Sequence, residues 1–308
     1  MKESWAKALA LGLLLAASSC SAQHGAEAEV QNVPAAVREM AGKSGATEFG
    51  QVLVRGSMIN LVTKSGKDWR NGGGQAGDDY ENFGTQETAP AYTPVGIDKM
   101  PLEQLADKMA GLTCEGGAQK MGQIDSAGTG AMVVSVGCAK PNDEKFSATF
   151  LDGANAPTID SWANERSVTT VLGEAKLLVG GSLTQLEFKV ADSTLPESRT
   201  RAIVVGAAAK QPDGRTCHPA IQRYGSPEQA NGGKVPMVRL DECGEKQNSG
   251  VFNVDQVKPA ALVAAMGKAA KKLGVDVAAV QSFEVGLLDG VLEVRAYHHS
   301  KQAGVPLG

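Results

Sequence analysis

Aromatic residues are scarce, at 5% of the 308-residue chain. The core must therefore be built from Val, Leu, Ile and Ala, and 37 glycines imply many turns. Basic charge is not in excess: 30 Lys and Arg stand against 34 Asp and Glu, for a net charge of −4. That balance removes any electrostatic reason to bind nucleic acid or anionic lipid headgroups. Long apolar runs are missing as well. The most apolar stretch, residues 8–17, has about half the length that a membrane-spanning helix requires. Cys-x-x-Cys, Gly-x-Ser-x-Gly and a glycine-rich loop ending in Lys-Ser/Thr are all absent, so redox, serine-nucleophile and phosphate-cradle chemistry lack their usual signatures. Hydrophobic residues at 42% and charged residues at 21% are ordinary for a globular chain. The length allows one large domain or two modest ones.

The N-terminus reads as an address. Lys2 and Lys7 precede the apolar run, and small residues lead into Ser18-Ser19-Cys20, the three-part pattern of a secretory signal. Ala17-Ser18-Ser19-Cys20 resembles the lipobox of bacterial lipoproteins, with Ala17 where that class usually carries Leu. The resemblance covers residues 1–20 only. It implies removal of residues 1–19, a diacylglyceryl group on the Cys20 sulfur and acylation of its new amine. Ser21 in place of Asp favours the outer membrane by the same analogy. Several acyl chains on one residue give stable anchoring where one gives marginal binding. The alternative is ordinary secretion with cleavage after Ala22.

Five cysteines are an odd number, and lipidation of Cys20 leaves Cys114, Cys138, Cys217 and Cys243 as an even set in an oxidising compartment. Sequence-local pairing, Cys114–Cys138 and Cys217–Cys243, is the simplest of three connectivities. Each bond would add roughly 3 kcal/mol through loop entropy.

The chain then divides into a lipidated tether (20–30), a helix and β-hairpin (31–64), a flexible Gly/Pro-rich linker (65–96) and a disulfide-stapled domain (97–308). Val33, Val37 and Met40 mark one helical stripe; Leu102, Leu105, Met109 and Leu112 mark a second. A third helix runs over residues 259–273, with Leu262, Met266, Ala269 and Leu273 inward and Gly274 as its stop. Alternation at 132–138, at Phe146, Ala148 and Phe150, and at Leu186, Phe188 and Val190 reads as strands. The proposed Cys114–Cys138 bond would then point into the core. Asp289-Gly290 predicts a two-residue hairpin turn that pairs Leu288 with Val291 and Glu284 with Arg295. The fold class expected is α+β: a mostly antiparallel sheet with two or three packed helices and two disulfides. A faint repeat, opening near Val30, Ile97 and Val254, precedes each helix, and shared helix-start residues account for most of it.

Histidines number four: His24, His218, His298 and His299. His298-His299 would start a metal reading, but strand neighbours point to opposite faces, so His298 falls on the core side and His299 outside. The visible acid pairs, Asp78-Asp79, Asp143-Glu144 and Asp241-Glu242, sit in turn-like sequence. No catalytic, cofactor or metal-binding residue is singled out. The sequence-level expectation is a membrane-anchored envelope protein acting without catalysis as a binding, inhibitor, immunity or accessory protein, with a protein or cell-wall partner and no nucleic acid. The alternatives are an envelope hydrolase using carboxylates on peptidoglycan or polysaccharide, and a periplasmic metal-binding protein.

Overall fold

Asn32 opens the first helix, α1 (Val33–Ser44), by accepting a hydrogen bond from Ala35 N at 3.1 Å, and Gly45 ends it in the left-handed region at φ 67°. The stripe read from sequence is the buried one: Val33, Val37, Met40 and Ala41 face inward. The computed structural model describes residues 29–64, 68–71, 79–82, 93–141, 143–190, 200–210, 214, 216–230, 232–244 and 250–308. After α1 come β1 (Phe49–Arg55), β2 (Met58–Thr63), β3 (Asp68–Asn71), β4 (Asp79–Asn82), α2 (Leu102–Ala110), β5 (Gln119–Ser126), β6 (Met132–Lys140), β7 (Asp143–Leu151) and β8 (Ala154–Asn155). They form one antiparallel sheet in the order β4-β3-β2-β1-β5-β6-β7-β8. The N-terminal hairpin is thereby built into this sheet, because β1 pairs with β5 from Gln51–Asp125 to Arg55–Met121. Strands β3 and β4 lie within the stretch that composition marks as a flexible linker; Trp69 of β3 packs against the apolar cluster under α1 and α2.

The second half contains α3 (Glu165–Leu178), β9 (Ser182–Lys189), β10 (Arg201–Gly206), β11 (Ala209–Lys210), β12 (Thr216–Tyr224), β13 (Val238–Gly244), β14 (Phe252–Asn253), α4 (Pro259–Leu273), β15 (Ser282–Leu288), β16 (Val291–His298) and β17 (Lys301–Pro306). Its main path is β11-β12-β10-β9-β15-β16-β17, and the longer β13 also pairs with β12. Asp289 and Gly290 both have positive φ, at 48° and 80°, and every cross-strand pair expected for this hairpin is present, including Glu284 opposite Arg295.

The two halves share one topology. With the short strands β8, β11 and β14 and a second 3-10 turn at Val277–Ala279 set aside, each runs helix, four strands, a 3-10 turn, helix, three strands, with β13, like β4, on the outer side of the third long strand. The correspondence reaches single residues. Asn164 caps α3 through Ser167 N as Asn32 caps α1. Just before each 3-10 turn the chain bridges back to the start of the first strand, as Val95 to Phe49 and as Phe252 to Leu183. Asp98 in one turn meets Arg38 of α1 at 3.7 Å, and Asp255 in the other meets Lys176 of α3 at 3.0 Å. Without gaps, Leu105 and Met109 of α2 match Leu262 and Met266 of α4, all four buried. The repeat visible in sequence is thus a larger one, of whole units.

The expectation of two or three helices is corrected to four. The helix left out of that reading, α3, carries the run Val168-Thr169-Thr170-Val171, whose branched residues favour strands by propensity. Its helical period, with Val168, Val171, Leu172, Ala175 and Leu178 buried, overrides that preference once packed. The expectation of two disulfides is met in part. Cys114–Cys138 is formed, with Cα atoms 5.7 Å apart. Cys217 is buried and disulfide-bonded, but the side chain of Cys243 lies outside the described residues. Cys114 and Cys138 are only half-buried, so their bond sits at the margin where the chain leaves α2 and not in the core.

Alternation also fails at one place with consequences. Val136 pairs with Ala148 and Gly137 with Phe146, so Ser147 bulges out of β7. Phe150 lies in the cluster beneath the helices, while Phe146 turns to the opposite face beside Met121 and Ala139. Gly137 permits this: a Cβ there would lie within the carbonyl oxygen of Lys145.

The connection between the halves is held to the second half by Arg223 of β12, which is fully buried. Its Nε donates to Glu174 Oε2 of α3 at 2.7 Å, Nη1 donates to the Tyr224 carbonyl, and Nη2 donates to the Pro157 carbonyl in the segment joining the halves. Beside it, Ile159 N donates to Gly225 O at 2.7 Å. Burial pushes the Glu174 carboxyl up, and the adjacent guanidinium opposes that rise. Removing one partner of a buried pair leaves an uncompensated charge, so Arg223→Ala is expected to cost about 3–5 kcal/mol in urea unfolding. Gly137→Ala is expected to lower stability by about 1–3 kcal/mol, read the same way, through overpacking against Lys145.

Candidate functional site

Each sheet carries its helices on one face only. In the first half α1 and α2 cover Val52, Val54, Ile59, Leu61 and Ile124, and alternation sends Gln51, Leu53, Asn60, Gln123 and Asp125 to the other side. A loop and strand from the second half, residues 234–240, close over that helix-free face. The result is a cleft of about 380 Å³ between the two halves, within the usual size of small-molecule sites.

Its deepest acid is Asp125, 3% exposed. Gln51 Nε2 donates to its Oδ1 and Gln123 Nε2 to its Oδ2, each at 2.6 Å. These two amides do not offset the loss of water, and burial holds the carboxyl up at about 6. Across the sheet, burial also raises Asp68, against the pull of Arg70 at 3.4 Å. Asn60 is 7% exposed, and its Oδ1 is buried without a hydrogen-bond partner among the described residues. Glu144, at the far end, is held by Arg55 Nη1 at 2.5 Å. Phe146, displaced by the bulge, and Leu53 supply apolar wall. Lys234 and Arg239 are exposed residues lining the same cleft from the second half.

None of these residues stands out in the sequence. Gln123 and Asp125 alternate with apolar neighbours as on any solvated strand face, and only the segment at 234–240 turns that face into a cleft. Of the acid pairs that do stand out, Asp143-Glu144 opens β7, where Glu144 reaches the cleft. The side chains of Asp78, Asp79, Asp241 and Glu242 lie outside the described residues. So do the signal, Cys20 and His24.

The remaining histidines are apart from the cleft. His218 Nδ1 lies 3.2 Å from Gly206 O, and His298 Nδ1 lies 2.8 Å from Ala279 O. His298 is half-buried at the end of β16, and His299 is exposed in the following turn with φ 51°. Their rings meet edge to face at 4.4 Å. Among the described residues no group of three His, Cys, Asp or Glu side chains is placed to share an ion, and no helix is long and apolar enough to cross a membrane.

No protein-family model matches the chain, and no curated protein sequence matches it either.

The Asp125 carboxyl has a direct consequence for stability. Its folded pKa of about 6 lies above the ordinary 3.8, so folding favours the protonated form. The stability this gives is complete below the unfolded value and is lost as pH rises through about 6. At roughly 1.4 kcal/mol per pKa unit the loss approaches about 3 kcal/mol. Asp125→Asn should therefore raise the melting temperature above about pH 7 and leave it nearly unchanged near pH 4, as measured by thermal unfolding across pH.

Proposed function

We propose that the protein is a lipid-anchored component of the bacterial envelope that binds another envelope component, protein or cell-wall material, without turning it over, as an inhibitor, immunity or accessory protein. Cys20 carries the acyl chains in this reading, outer-membrane attachment is favoured by Ser21, and Cys217–Cys243 is the second staple. The observation that carries the binding role is the cleft, a preformed concave surface with a polar floor and a charged rim, assembled from both halves. Its acids are committed to partners within the protein. Asp125 is held by two glutamines, Asp68 by Arg70 and Glu144 by Arg55, which supports binding over catalysis.

The hydrolase reading draws on one specific observation, the Asp125 carboxyl at about 6, a value that suits a general acid. It requires a second carboxylate facing a bound glycan, and the commitment of Asp68 and Glu144 argues against one.

The binding reading predicts where a partner is captured. Photo-crosslinkers in living cells at Lys234 and Arg239, on the cleft rim, should label a discrete partner, whereas one at the exposed Lys268 of α4 should not. Equal labelling at all three sites, or none at the rim, would count against it. Cys20→Ser should shift the protein from the membrane pellet to the soluble fraction.

A further inference from the structure

We infer that His298 and His299 form a surface site for one divalent transition-metal ion, copper(II) ahead of nickel(II), with water completing its coordination. The site lies apart from the cleft, and the inference goes beyond the binding reading without resting on it. Strand alternation would send the two side chains to opposite faces. It does not apply here, because β16 ends at His298 and His299 stands in the turn that leads to β17. The ring centres are 4.4 Å apart, with the planes at 63°. With imidazole–metal bonds of about 2.0–2.1 Å, two rings at a right angle about one ion have centres about 4.5 Å apart, and a tetrahedral angle spreads them beyond about 5 Å. Right-angle nitrogen ligands suit copper(II) and nickel(II), whereas zinc takes tetrahedral ones.

The donor atoms are prepared for a ligand. His298 Nδ1 lies 2.8 Å from the Ala279 carbonyl oxygen. A carbonyl can only accept, so Nδ1 carries the proton and the Nε2 lone pair is left over. Backbone carbonyls orient metal-binding histidines in this way. His299 N donates to Gln281 Oε1 at 2.6 Å, which ties the turn to the residue ahead of β15. The ring nitrogens of His299 have no hydrogen-bond partner among the described residues. Water reaches both side chains, since His298 is half-buried and His299 exposed.

The backbone supplies an independent observation. Among the described residues, Asp152, Asp289 and His299 are the non-glycine residues with positive φ. Each opens a two-residue turn between paired strand residues, Leu151 with Ala154, Leu288 with Val291 and His298 with Lys301. The first two turns are Asp-Gly, but the third is His299-Ser300, at φ 51°. A left-handed residue bearing a Cβ is strained, and such strain is kept where a side chain must be aimed. One group opposes a cation here: Lys301, directly across from His298, is exposed and keeps its ammonium in water.

The test is isothermal titration of the full chain, solubilised in detergent, with copper(II), nickel(II) and zinc chlorides. Copper(II) should bind most tightly and nickel(II) more tightly than zinc. His298→Ala and His299→Asn should each weaken copper at least tenfold; Asn adopts the left-handed turn without supplying an imidazole. Lys301→Glu, at an exposed position, should tighten copper binding, which a misfolded variant would not do. His24→Gln and His218→Gln should leave the ion bound, and electron paramagnetic resonance should show two imidazole nitrogens on the copper. Undiminished binding in His299→Asn, loss of the ion in His24→Gln, or zinc bound more tightly than nickel(II) would overturn the inference.

Discussion

A guanidinium removed from water has five N–H groups to satisfy and a charge to balance. Arg223 meets that demand with Glu174 of α3, the Tyr224 carbonyl of its own strand and the Pro157 carbonyl of the connection between the halves. Because these partners come from three segments, the second sheet can pack on α3 in one arrangement only, with the connection drawn in beside it. Hydrophobic burial would tolerate several packings; an unpaired buried charge tolerates almost none. The position of residues 234–240 over the first sheet follows from this arrangement, supported by Phe146 N donating to Gly233 O at 2.6 Å and Met237 N donating to Thr149 Oγ1 at 3.2 Å.

Duplication explains why a polar face exists to be covered at all. One unit of helix, four strands, helix and three strands can shield only one side of its sheet, so the other side must be polar. In the second half that side shows Glu187 opposite Glu284, with Tyr297 donating to Glu284 at 2.9 Å; burial raises the Glu187 carboxyl, and Lys189 opposes the rise. In the first half the same side is roofed by the second. Two units of one design therefore differ in function through their placement. The cleft arises at the one polar face that a neighbouring unit closes over, and the bulge at Ser147 supplies it with Phe146.

Local chemistry made part of this fold legible. Asp-Gly fixed the register of β15 and β16, because a two-residue turn with both φ angles positive leaves no freedom in the pairing. The stripes of α1, α2 and α4 were equally plain, since their apolar positions recur at helical spacing and no run of adjacent branched residues competes. The helix α3 was hidden by Val168-Thr169-Thr170-Val171, although Asn164 three residues ahead of Ser167 marked its cap. Phe146 was assigned to the wrong face because a single bulged residue reverses every side chain beyond it.

Sequence by itself determined three helices and the C-terminal hairpin, and it made the Cys114–Cys138 loop the simplest of three pairings. Each depends on residues close together in the chain, where spacing and turn chemistry suffice. Tertiary structure alone decided that β1 joins β5, that two units repeat one topology, and that Asn60, Asp68 and Asp125 share a cleft. Those relations join positions far apart in sequence, and burial of a polar strand face depends on what the rest of the chain lays over it.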